Sequence, residues 1–222
     1  MFAALLFVFL LCSCDGKGDD TSTQSTHNRP LMNEFPWTFA NEGIEVVDIG
    51  QYRGAFLEDG SDTLINNVLM IIVHNPTDKP LQYAEITLFA GDDLAYFDVS
   101  TLPAGESAVV LERNMLPYEE DYRYLLKNMQ TAYFTDGVCT LHEDVFEITG
   151  DNSQLSVKNI SEKDVDGTVK IYYKTFKDGY YYGGITYNVS IDSLASGQTK
   201  TVPAGHFIKD YSQLMFVTYL NE

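Results

Sequence analysis

Val73-His74-Asn75-Pro76-Thr77-Asp78-Lys79 and Val157-Lys158-Asn159-Ile160-Ser161-Glu162-Lys163 read as two copies of one turn. In each, a run ends at Asn, a Thr or Ser follows two residues later, and Lys closes the segment. Short polar side chains at this spacing hydrogen-bond the local backbone and divert it from a strand into a turn. The likeness continues downstream in the same order. Leu102-Pro103-Ala104-Gly105-Glu106-Ser107 matches Leu194-Ala195-Ser196-Gly197-Gln198-Thr199. Each copy then closes on an aromatic-rich stretch, Thr131-Ala132-Tyr133-Phe134 in the first and Phe216-Val217-Thr218-Tyr219-Leu220 in the second. Three features recurring in one order mark an internal repeat.

Between the matched turns the hydrophobic period is two. Ala84, Ile86, Leu88 and Ala90 alternate with Glu85, Thr87 and Phe89, and Val169, Ile171 and Tyr173 alternate with Lys170, Tyr172 and Lys174. Leu214, Phe216, Thr218 and Leu220 repeat the pattern near the end. Alternation of this kind places one face of a strand on a core. Val68 to Val73 is apolar on both faces, as a covered central strand requires. Asp59-Gly60, Ala104-Gly105, Asp178-Gly179 and Ser196-Gly197 punctuate the runs as turns. Tyr118 to Met129 is the one stretch expected as a short helix. The expected architecture is therefore all-β, two tandem antiparallel β-sandwiches over 36–136 and 137–222.

The chain has 222 residues, 45% of them apolar, enough for a packed core. Its formal net charge of −18 opposes nucleic acid, which needs a basic face to displace counterions, and opposes electrostatic attachment to anionic lipid.

Phe2 to Leu11 is an unbroken apolar run. It is shorter than the roughly 20 residues a membrane-spanning helix needs and fits a signal-peptide core. Leu11-Cys12-Ser13-Cys14 follows at once and resembles the lipobox of bacterial lipoproteins, although no Lys or Arg precedes the apolar run. The resemblance implies a signal peptide over 1–13, lipidation of Cys14, and a place on the extracytoplasmic face of a bacterial cell membrane. Residues 14–35 form the expected tether, polar from Asp15 to Asn33. As a random coil it spans roughly 25 Å. With Cys12 removed, Cys139 is the only other cysteine beside Cys14, so the mature protein is expected to hold no intramolecular disulfide.

The Asn-x-Thr/Ser turn, the alternating strand and the Leu-x-x-Gly-x-Ser/Thr segment resemble the FxLYD-type and related Ig-like domains of bacterial envelope proteins. The resemblance implies an Ig-like sandwich in each copy and no enzymatic activity.

The copies also differ. Between Leu88/Ile171 and Leu102/Leu194 the second is nine residues longer. The excess falls in Thr175 to Gly184 and carries Phe176, Tyr180, Tyr181 and Tyr182. Tyr offers rigid amphipathic contact area at low entropic cost. These four residues are the candidate binding residues, set against the alternative that they cover a neighbouring strand or the other domain. Leu116 to Tyr122 is an acidic, aromatic insertion in the first copy, expected as a solvated loop. Glu162, Asp164, Asp166 and Gly167 follow the start of a calcium loop, but its twelfth position holds Tyr173 where a bidentate Glu is needed. Cys139, His142 and Asp144 have the residue types of a thiol nucleophile site, yet a strand would put Cys139 and His142 on opposite faces. No catalytic residue, metal ligand or cofactor is expected. The expected role is a non-catalytic interaction module for an envelope protein, the alternative a glycan- or solute-binding lipoprotein using the aromatic hairpin.

Overall fold

The structure, a computed structural model, describes residues 34–56 and 63–220. Cys14, the expected signal peptide, most of the expected tether and the expected Asp59-Gly60 turn lie outside the described residues. The described residues belong to one compact unit. The described part is all-β, built as layered, mainly antiparallel sheets.

The first copy supplies β1 (Glu45–Ala55), β2 (Leu64–His74), β3 (Leu81–Ala90), β4 (Asp93–Leu102), β5 (Ser107–Leu111) and β6 (Tyr124–Tyr133). The second supplies β7 (Phe146–Asp151), β8 (Gln154–Asn159), β9 (Val165–Lys177), β10 (Tyr180–Tyr182), β11 (Tyr187–Leu194), β12 (Thr199–Pro203) and β13 (Ser212–Thr218). In the first copy β1-β2-β5 form one layer and β4-β3-β6 the other; in the second the layers are β7-β8-β12 and β11-β9-β13. With β10 set aside, the two orders are the same, strand for strand.

The matched turns coincide at the level of atoms. Asn75 and Asn159 are both fully buried. Asn75 Nδ2 donates to the carbonyls of Lys79 and Leu102 at 2.9 and 3.1 Å, and Asn159 Nδ2 to those of Lys163 and Leu194 at 2.7 and 2.9 Å. Thr77 and Ser161 donate their hydroxyls to the Asn Oδ1 at 2.7 and 2.8 Å. Gly105 N and Gly197 N donate to the Asn carbonyls, both at positive φ where a side chain would be strained. A buried amide must find partners for each polar atom, so each Asn holds three segments of its sandwich together.

Two hydrophobic clusters result. One packs Leu69, Ile71, Ile86, Leu88, Phe97 and Val110 of the first copy. The other packs Leu155, Val157, Val169, Ile171, Tyr173 and Val217 of the second. Met215 and Phe216 of β13 cross into the first cluster. Phe216 stacks on Tyr172 at 4.1 Å and meets Phe134 edge-on at 5.1 Å.

The sheets are also continuous across the copies. β9 runs from its pairing with β11 and β13 into the Asp178-Gly179 turn, where both residues have positive φ, and returns as β10. β10 then pairs in parallel with β5, with Tyr181 opposite Ala108 and Tyr182 opposite Val109. This is the one departure from antiparallel pairing among the described strands.

The expected helix at Tyr118–Met129 is not formed; residues from Tyr124 onward are strand β6. The cause is a bulge in β6 opposite β3, where Thr87 faces Asn128 but Leu88 faces Leu126. The extra residue, Lys127, brings Leu126 and Met129 to the same core face at a spacing that imitates a helix.

Candidate binding surface

The outer face of β4-β3-β6 carries an exposed aromatic and apolar surface. The same alternation that buries Ala84, Ile86 and Leu88 turns Tyr83 and Phe89 outward, each about two-fifths exposed. Phe89 stands directly across from Leu125 of β6, also exposed. Beside this pair the chain enters the fold through Pro36-Trp37-Thr38. Trp37 exchanges backbone hydrogen bonds with Val46 of β1 at 2.8 and 3.0 Å, which fixes this segment over the sheet edge. Pro36, Trp37, Thr38, Phe89, Leu125 and Leu126 enclose a shallow groove of about 480 Å³.

Cations frame this surface. Lys127 Nζ lies 5.3 Å from the Phe89 ring centroid, and the Arg113 guanidinium 5.5 Å from that of Tyr96. Arg113 is positioned by the bend after β5, where its N–H donates to the Tyr96 carbonyl at 2.8 Å. Its Nε and Nη2 donate to the two oxygens of Asp98 at 2.6 Å each, and Nη2 also reaches Glu85 at 3.0 Å. The guanidinium holds the Asp98 carboxyl below the usual range. Tyr83 donates its hydroxyl to Asp98 at 2.5 Å, and this bond is the main reason its pKa is pushed up to about 12. The result is a face on which the Arg113–Asp98–Tyr83 hydrogen bonds hold the charged groups in place beside the exposed Tyr83 and Phe89 rings.

The bend is itself anchored by Glu112, which is buried. Its carboxylate accepts from the backbone N–H groups of Tyr96, Asn114 and Leu116 at 3.0, 2.7 and 2.9 Å. A charged acceptor satisfied by several N–H donors is a strong local clamp.

The residues singled out in the sequence lie elsewhere. Tyr181 is 5% exposed and belongs to the first copy's cluster. Its hydroxyl donates to Gln213 Oε1 at 2.6 Å, and burial pushes its pKa up to about 12. Phe176 packs on it at 4.9 Å. Tyr180 and Tyr182 are half-buried, Tyr182 edge-on to Tyr52 at 6.5 Å. Three consecutive tyrosines therefore sit at the joint between the copies.

The acidic insertion also carries more structure than a solvated loop. Tyr118 stacks on Tyr124 at 5.7 Å, and the Tyr124 hydroxyl bridges the N–H and carbonyl of Glu119. Cys139 is half-buried against the first cluster, where burial pushes its thiol pKa up, the opposite of what a thiolate nucleophile needs. His142 packs edge-on to Tyr219 at 4.9 Å. The segment holding Cys139 and His142 is not a strand. Ser161, Asp164, Asp166, Gly167 and Tyr219 help line a cleft of about 410 Å³. Asp164 accepts there from the Ser196 N–H at 2.7 Å, a contact that closes the turn. Tyr173, at the twelfth position of the calcium-like pattern, is a buried strand residue.

Phe89 was visible in the sequence as an aromatic on the polar phase of an alternating strand. Arg113 and Trp37 carried no comparable signal, because their place on this face comes from the β5–β6 bend and the Trp37–Val46 bridge. No known protein family matches the chain, and no curated protein matches it.

Proposed function

We propose that this chain is a lipid-anchored, non-catalytic interaction module on the extracytoplasmic face of a bacterial cell membrane. It docks a protein partner through the outer face of β4-β3-β6. The observation that carries the docking site is the exposed Phe89–Leu125 pair beside the Trp37 groove, flanked by Lys127 and Arg113. Aromatic residues and Arg are the types enriched where proteins meet, and contiguous exposed apolar surface marks such sites. The address rests on the lipobox-like Leu11-Cys12-Ser13-Cys14, and the non-catalytic reading on the resemblance to Ig-like envelope domains of the FxLYD type.

A photo-cross-linking residue at Leu125, compared with one at Ser190 on the exposed side of β11, tests the site in native membranes. A discrete partner captured from position 125, not from 190, and lost on Phe89→Ala supports it. Identical products from both positions contradict it. Saturable binding of a cell-wall glycan that Phe89→Ala abolishes, with no protein captured, would replace the protein partner by a sugar. Cys14→Ser should release the protein into the soluble fraction; continued membrane association would overturn the anchor.

A further inference from the structure

The two counterpart strands β5 and β12 have opposite chemistry. β12 is Thr199-Lys200-Thr201-Val202-Pro203 and pairs with β8 alone among the described strands. Its free edge carries the usual protections of an edge strand, Lys and Pro. Lys200 turns its ammonium onto the carbonyls of Asp192 and Ser193 at 2.7 and 2.8 Å. β5 is Ser107-Ala108-Val109-Val110-Leu111, with no charge and no Pro, and buried from Ala108 onward. Left open, such an edge is a template for pairing with another chain.

β10 fills that edge. Besides the parallel pairing, Gly183 N donates to the Val109 carbonyl at 2.8 Å. The segment after β10 then latches onto β4: the Ser100 hydroxyl donates to the Gly184 carbonyl and lies 2.8 Å from Thr186 Oγ1. The buried Lys174 donates its ammonium to the Ser100 carbonyl. Gly184 sits so close to β4 that an added Cβ would run into the Asp98 carbonyl. One short insertion thus touches both layers of the first sandwich.

We infer that the first sandwich is an incomplete fold finished by a strand donated from the second copy. The groove between β5 and β4 is a strand-binding site whose resident ligand is this chain's own Tyr180–Gly184. Its specificity is legible: an aromatic at Tyr181 to fill the core, a glycine at 183 where φ is positive, and a glycine at 184 where the backbone comes closest to β4.

The test uses the full chain and hydrogen exchange. In Gly184→Val the added side chain should unseat the strap, so that segments 180–184 and 107–111 exchange faster together, by about tenfold or more. Segment 154–159 should keep its wild-type rate. A synthetic peptide spanning 176–186 should then bind the variant, not the wild type, and restore protection to 107–111. Ser100→Ala with Thr186→Ala loosens the latch without a steric clash and should give the same pattern, smaller, should Gly184→Val fail to fold. If 107–111 stays protected while 180–184 exchanges freely, or the peptide restores nothing, β5 does not depend on the donated strand and the inference falls.

Discussion

The two copies share a fold and differ in how they close it. The second sandwich ends its β7-β8-β12 layer on a strand bearing Lys200 and Pro203; the first ends the equivalent layer on the bare apolar β5 and borrows β10. The shared part is held by chemistry that a turn needs wherever it occurs, the buried Asn with its Thr or Ser. The unshared part couples the copies. A duplicated sandwich becomes one body when a single hairpin, nine residues longer in one copy, reaches into the other. This coupling leaves the outer face of β4-β3-β6 in a fixed frame, which suits a docking surface.

The largest effect should come from placing a charge at equivalent positions of the two edges. Val109→Lys puts an ammonium at a position only 6% exposed, beside β10 in the sheet, and should cost about 4 kcal/mol in denaturant unfolding. Thr201→Lys puts the same group on an exposed edge and should cost less than about 1 kcal/mol. Equal costs would erase the distinction between β5 and β12. Next in size, Asn75→Ala and Asn159→Ala should each cost about 3 kcal/mol, because buried carbonyls lose their donors. The two values should agree within about 1 kcal/mol, since the networks share every bond of the Asn side chain except Asn75's longer one to the Pro103 carbonyl at 3.2 Å. A large disparity would show that the repeat is one of shape alone.

Alkaline pH gives a smaller effect. The folded-state pKa values of Tyr83 and Tyr181 stand at about 12 against an ordinary 10.0. Both phenols are held protonated by the fold, so their contribution is complete below pH 10 and is lost as pH rises toward 12. Denaturation midpoints should fall across that window, and Tyr181→Phe should flatten the fall; an unchanged slope would mean that Tyr181 ionises as freely folded as unfolded. The smallest stability effect belongs to the exposed face. Leu125→Glu should change stability by no more than about 0.5 kcal/mol while abolishing capture of the partner. A destabilised Leu125→Glu would make the patch part of the packing.

The repeat was readable because turn chemistry is local: Asn75 and Asn159 announce themselves two residues before their Thr or Ser partner. The tyrosine hairpin was readable only as a choice, between a binding surface and a cover for a neighbouring strand or the other domain. In Tyr180-Tyr181-Tyr182 both phases of the strand carry the same residue, so no alternation says which ring is buried. The clue lay in the partner instead, in the contrast between Ser-Ala-Val-Val-Leu and Thr-Lys-Thr-Val-Pro at matched positions. The helix expected at Tyr118–Met129 shows the converse hazard. One bulged residue, Lys127, turned a period of two into an apparent helical spacing. The exposed face was half legible, since Phe89 broke the polar phase of β3, but Arg113 reaches it only through the β5–β6 bend.

Trp37 is the only tryptophan and lies in the first copy, so its fluorescence reports that copy's unfolding. The central claim is that the copies fold as one body through the donated strand. Asn159→Ala, made wholly within the second copy, should therefore shift the Trp37 denaturation midpoint as far as it shifts the far-ultraviolet dichroism of the whole chain. A Trp37 midpoint that stays at its wild-type value while the dichroism moves would show two independent sandwiches and contradict the account.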